Sequence, residues 1–187
     1  MTHSPGTRTA TWHDALARLY VEMTAGRQRS LPEIFEVATL VRERAKEQIK
    51  AHSSAEARLL ADHLGLDNYA FLVLDLQRAP VTDLSPLQGL PLKSLDAQGC
   101  AIADLSPLRG MPLRSLNLDS TKVIDLEPLR GMSGLRNLSL AGTAVTDLRP
   151  LHGLPALTWL HLSGSAVKDL TPLRGTHLEV QIGRAHV

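Results

Sequence analysis

Residues 113–134 read LRSLNLDSTKVIDLEPLRGMSG, and this stretch decides the fold. Its apolar residues fall at the first, fourth, sixth, eleventh, fourteenth and seventeenth places: Leu113, Leu116, Leu118, Val123, Leu126 and Leu129. The next 22 residues repeat the arrangement with Leu135, Leu138, Leu140, Val145, Leu148 and Leu151. Backwards, the same register runs through Phe71, Leu74, Leu76, Val81, Leu84 and Leu87. An Asp-Leu pair followed by Pro-Leu returns at Asp83, Asp104, Asp125, Asp147 and Asp169, in steps of 21, 21, 22 and 22 residues. Units therefore start at Phe71, Leu92, Leu113, Leu135 and Leu157, with a partial one at Leu178. Leu-x-Leu at the fourth and sixth places turns two side chains to one side of a short strand. One such coil cannot bury its own apolar side, but stacked coils can, with their strands paired in parallel.

The repeated motif, as in Val145-Thr-Asp-Leu-Arg-Pro-Leu151, resembles the leucine-rich-repeat family, in particular the short 21–22-residue repeats of internalins. The resemblance covers residues 71–180 and implies an α/β solenoid, with a helical N-terminal cap followed by a short leucine-rich-repeat array and one parallel sheet on the concave face. It also implies protein–protein recognition. The family commonly carries Asn at the ninth place, whose amide bonds the backbone turn; here that place holds Ala79, Cys100, Thr121, Thr143 and Ser165, a set with weaker hydrogen bonding.

Residues 10–66 read as helices that cap the first coil, or as an adaptor segment. Trp12, Leu16, Leu19, Tyr20 and Met23 share one helical face. Ser30-Leu-Pro-Glu33 opens a second helix whose stripe is Ile34, Ala38, Val41, Ala45 and Ile49. Ser53-Ser-Ala-Glu56 opens a third, holding Leu59, Leu60 and Leu64, with Gly65 expected in a left-handed turn at its end. Residues 1–9 are expected to be disordered. At the other end the register asks for leucines at 181 and 183, where Gln181 and Gly183 stand. The run Gln-Ile-Gly-Arg-Ala-His-Val (181–187) also matches a translated sequencing-adapter read-through, so a non-native tail is expected there.

Composition narrows the classes. Of the 187 residues 20 are Lys or Arg and 19 Asp or Glu, a net charge of +1 that offers no general attraction to nucleic acid or an anionic membrane. Leucine occurs 35 times while aromatics make only 3%, so the core is aliphatic. The longest apolar run, Tyr69 to Leu74, is too short to span a bilayer, and the first residues lack the apolar stretch of a signal peptide. A single cysteine excludes an internal disulfide and fits a reducing, cytoplasmic setting.

Chemistry is scarce. Gly89-Leu-Pro-Leu-Lys93-Ser94 lacks the spacing of a phosphate loop, and the repeat accounts for each of its residues. The eight histidines show no zinc spacing, and Cys100 sits at an inward place. No catalytic, cofactor or metal residue is assigned. The repeated aspartates are expected to hydrogen-bond the turns they precede.

What remains is the outward face of the strands. Its second-place column holds Lys93, Arg114 and Arg136; its third holds Asn137 and Trp159; its fifth holds Asp96, Asn117 and His161; Asp119 lies in the seventh. These nine residues are the candidate protein-binding set, because a Trp on such a face is poorly explained by solvation. Arg130 is expected on the opposite, convex side. The expected function is non-catalytic binding of a protein partner, with no nucleic acid or membrane involved. Two rival readings are a sensor fragment of a larger signalling enzyme truncated after about residue 180, and a bacterial effector.

Overall fold

The structure is a computed structural model describing residues 31–174 and 178–181. The expected disorder of 1–9, the helix on Trp12–Met23 and the tail beyond Gln181 lie outside the described residues. Two helices, α1 (Leu31–Ala51) and α2 (Ala55–His63), precede seven short strands: β1 (Leu64–Leu66), β2 (Leu72–Asp75), β3 (Ser94–Asp96), β4 (Ser115–Asn117), β5 (Asn137–Ser139), β6 (Trp159–His161) and β7 (Glu179–Gln181). They form one sheet in chain order, and every neighbouring pair from β2 to β7 is parallel. The register sets Leu74, Leu95, Leu116, Leu138 and Leu160 side by side, so the fourth place is a continuous leucine ladder.

Between strands each coil returns through a 3₁₀ turn that begins just after the repeated aspartate. Proline suits the start of such a turn because its fixed φ is already helical and no amide donor is needed there. The leucines of the pattern are buried throughout the central coils. Leu90, Met111, Met132 and Leu154, at the twentieth place, join the same core, a layer the leucine pattern did not mark. In the last coil burial thins: Leu170 is 37% exposed where its counterpart Leu148 is 1%.

The expected turn aspartates do bond their turns. Each Oδ1 of Asp83, Asp104, Asp125, Asp147 and Asp169 accepts the backbone N–H two residues on, at 2.7–2.9 Å. Hydrogen bonds from Ser106, Arg149 and Thr171 hold the carboxyls of Asp104, Asp147 and Asp169 below the ordinary carboxylate range. Glu56 is lowered too, chiefly by the backbone N–H of Asp83. A depressed carboxylate contributes stability that is complete above its unfolded value and lost as pH falls through its folded value. Stability should thus hold from neutral pH to the ordinary carboxylate range and drop below it. In acid titration the triple variant Asp104→Ala, Asp147→Ala, Asp169→Ala should show a shallower drop; an unchanged slope would deny these bonds a role.

The cap differs from the expectation at its junction. Ser54, not Ser53, caps α2, its hydroxyl accepting Ala57 N–H at 2.9 Å. Glu56, freed from a capping box, reaches the first coil and accepts the N–H groups of Thr82 and Asp83 at 3.2 and 2.9 Å and the Thr82 hydroxyl at 2.9 Å. Gly65 does not make a left-handed helix end. It lies within β1, which pairs antiparallel with β2, Gly65 opposite Val73. The β1–β2 turn is held by Asp67, whose Oδ1 accepts the amides of Tyr69 and Phe71 at 2.8 and 2.9 Å. The sheet is therefore parallel except for one antiparallel edge strand, which covers the exposed edge of β2. Ala45 and Ile49 of α1 and Ala57, Leu60 and Ala61 of α2 merge into the core of the repeats.

The last unit also shifts. Val180 pairs with Leu160, so the fourth place falls at Val180 rather than Gln181, and the expected break of register at Gln181 is replaced by a step shorter by one residue. At the ninth place Thr121 and Thr143 donate their hydroxyls to the carbonyls of Leu118 and Leu140, both at 2.7 Å, and Cys100 Sγ donates to Leu76 O at 3.0 Å. Burial pushes the Cys100 thiol up.

The eighth place has left-handed backbone in all five units: Arg78, Gly99, Ser120, Gly142 and Gly164, with φ from 56° to 73°. A Cβ there crowds the following carbonyl, so Arg78 and Ser120 are strained where the glycines are not. Ser120→Gly should raise stability by about 0.5–1 kcal/mol in urea titration; a lower midpoint would mean that the Ser120 side chain outweighs the strain.

Candidate functional site

The outward face of β3–β6 carries two groups of candidate residues. One is a polar row along the fifth and seventh places. Asp75, Asp96 and Asn117 each accept, through Oδ1, the seventh-place amide two residues on, those of Gln77, Gln98 and Asp119, at 3.0–3.1 Å. A short carboxylate or amide closes the turn that leaves the strand in this way. Asp96 Oδ2 also receives Gln77 Nε2 at 3.1 Å and Asn117 Nδ2 at 3.2 Å, linking three coils.

The fourth unit breaks the rule, because its fifth place is Ser139, a weaker acceptor whose hydroxyl donates to Asp119. Asp119 serves instead from the neighbouring coil: Oδ1 accepts Ala141 N–H at 2.7 Å and the Ser139 hydroxyl at 2.5 Å. Ser139 Oγ lies 3.1 Å from His161 Nδ1, and His161 Nε2 lies 2.7 Å from Ser163 Oγ. Asp119 Oδ2 is 3.9 Å from His161 Nδ1, beyond hydrogen-bond length. The row thus holds serine, histidine and aspartate together, but the carboxylate hydrogen-bonds the turn amide and Ser139 rather than orienting the imidazole, unlike an acid–base–nucleophile relay.

The other group is basic. Lys93, Arg114 and Arg136 line a groove of about 440 Å³ at the edge where the coils enter the sheet. Arg130 lines it as well, while its pairing with Glu127 keeps it with the turn residues of the convex side, where it was expected. The Arg114 guanidinium lies 5.0 Å from the centre of the Phe71 ring. Burial, and secondarily the charge of Arg114, brings the Lys93 ammonium down to about 8.

Trp159 is half-buried, with its ring centre 5.6 Å from that of His161 in a tilted arrangement. Arg136 and Asn137 are exposed beside it on the neighbouring coil, Asn137 pairing with Trp159 across β5 and β6. Of the nine candidates, then, Asp96 with Asn117, and Asp119 with His161 and Trp159, meet in the polar row, Lys93, Arg114 and Arg136 meet in the groove, and Asn137 stands opposite Trp159 on the neighbouring strand without joining either group. Asp96, Asn117 and Asp119 also hold turns, a task that their place on the outward face concealed. Ser139, Gln77 and Arg130 were missed; the change from Asp or Asn to Ser in the fifth column was the signal for Ser139.

Among the described residues no group of three or more His, Cys, Asp or Glu is placed to hold a metal ion, and no helix is long and apolar enough to cross a membrane.

A parallel ladder of 21–22-residue coils behind a helical cap gives the chain an internalin-like leucine-rich-repeat fold. Among solved structures it is similar to internalin C2 of Listeria monocytogenes, at 34% identity and a TM-score of 0.55, over 59% of this chain and 50% of that one. A second internalin of the same species, InlF, aligns at 23% identity and a TM-score of 0.49, over 72% and 54% of the two chains. The TLR13–ssRNA13 complex aligns at 18% identity and a TM-score of 0.49, over 64% and 22%. The chain thus spans about half the length of the internalin structures it matches. Neither a protein-family model nor a curated protein matches it.

Proposed function

We propose that the chain is a non-catalytic recognition module that binds a protein partner on the outward face of β3–β6. The observation that carries this reading is Trp159, an indole on a rigid strand, only half covered and packed on His161. Trp and Arg supply most binding hot spots, since each combines a large contact area with a directional polar group. The likeness to internalin C2, which extends to sequence, supports a recognition role. The polar row supports it too, because its interlocked hydrogen bonds hold the surface rigid before contact, which reduces the ordering cost of binding.

The test begins with a binding protein selected from a displayed library against the whole chain. Trp159→Ala should weaken that binder at least about tenfold with little change in melting, and Arg136→Ala should weaken it too. Lys122→Gln, outside the face, should leave it unchanged. Binders that ignore Trp159, Arg114 and Arg136 but are lost on substituting the exposed Phe35 and Leu40 of α1 would move recognition to the helical cap.

A further inference from the structure

We propose that the groove between Lys93, Arg114, Arg130 and Arg136 binds the carboxylates of an extended acidic segment of a protein partner. The inference rests on the recognition reading above, of which this groove is the basic margin.

The lining of the groove contains four cations and no acidic side chain, in a chain whose net charge is only +1. The cations are not equivalent. Arg130 is already neutralised by Glu127, with Nε 2.6 Å from Oε1 and Nη2 2.8 Å from Oε2. Arg136 makes no side-chain hydrogen bond or ion pair among the described residues. Arg114 is steadied over Phe71, which leaves its fork of N–H donors oriented. Guanidinium forks match carboxylates in bidentate geometry.

Spacing adds to this. Lys93, Arg114 and Arg136 occupy the same place just before β3, β4 and β5, and Arg114 and Arg136 N–H groups donate to the carbonyls of Lys93 and Arg114. Neighbouring cations in the column therefore stand roughly one strand spacing, about 4.8 Å, apart at the backbone. Like charges so placed repel, and the lowered Lys93 ammonium reflects part of that cost. A carboxylate lying between them turns the repulsion into attraction. From Lys93 to Arg136 is two spacings, about 9.6 Å, and an extended peptide in the polyproline II conformation, with three residues per turn and a rise of about 3.1 Å, sets side chains i and i+3 on one side about 9.3 Å apart.

The experiment uses the whole chain and a fluorescent hexaglutamate peptide, read by anisotropy at low salt. Binding is expected, with Arg114→Gln and Arg136→Gln each weakening it about tenfold or more, while Lys122→Gln leaves it unchanged. Peptide should raise the melting temperature of Lys93→Gln less than the parent's. No binding by the parent chain overturns the proposal, and so does equal loss in Lys122→Gln, which would mean general charge attraction. If inorganic phosphate displaces the peptide at similar concentration and through the same arginines, the groove is a general oxyanion site and the acidic-peptide proposal fails. A library-selected partner that still requires Trp159 when hexaglutamate does not bind removes this proposal alone. Hexaglutamate binding through Arg114 and Arg136, with every selected partner indifferent to Trp159, keeps the groove and removes the wider reading.

Discussion

Leu138→Ala is expected to lower stability by about 2–5 kcal/mol. The side chain is wholly buried, and its strand pairs on both sides, setting Leu138 between Leu116 and Leu160. Truncation removes the transfer free energy of three carbons and leaves a cavity facing two coils at once. The returning 3₁₀ turns hold those coils at their spacing, so collapse into the void is limited. In a solenoid each coil is stabilised chiefly by its neighbours, so a weakened central coil also weakens both interfaces. Urea titration followed by far-UV circular dichroism gives the measurement. The neighbouring Asn137→Ala, exposed on the same strand, should stay within about 0.5 kcal/mol of the parent. A Leu138→Ala cost below about 1 kcal/mol would contradict a packed leucine ladder.

Asp119→Ala should cost about 2–3 kcal/mol, although the residue lies on the outward face. Its carboxylate accepts both the Ala141 amide and the Ser139 hydroxyl. In the first three coils a local Asp or Asn at the fifth place holds the equivalent amide, whereas the fourth takes its acceptor from a neighbouring coil. Removing Asp119 leaves the Ala141 amide without its partner. A second substitution separates this account from general disruption: Ser139→Asn restores a local acceptor and should recover at least half of the loss in the double variant. Failure of that rescue, with Asp119→Ala still destabilising, would place the effect elsewhere in the His161–Ser139–Asp119 row.

The solenoid was legible because its cause is periodic. Leucines returning every 21 or 22 residues with an Asp-Leu-x-Pro-Leu turn admit few other ways to bury their side chains, and the parallel register followed from counting. The turn aspartates were legible for the same reason, since a carboxylate two residues before an unpaired amide needs only local geometry. So were the membership of the basic column and the isolated Trp159.

Contacts between coils and between cap and coils were not legible, because they depend on distances across the sheet rather than along the chain. Asp119 looks like a free surface carboxylate until Ser139 is placed one strand away, its hydroxyl donating to Asp119 while the Ala141 amide donates to the same carboxylate. Arg130 pairs with Glu127 on its own turn, and only the folded coils show that it also lines the groove that holds Arg114. Gly65 reads as a helix end by local preference, yet the adjoining edge of β2 offers unpaired backbone groups, and a strand there satisfies them. Glu56 likewise leaves the expected capping box for two amides of the first coil. The repeat determined by itself which residues face inward and how the coils stack. Tertiary structure alone decided which outward residues brace the turns and which stay open to a partner, because a side chain is committed only when another coil presents its unpaired amide within hydrogen-bond reach.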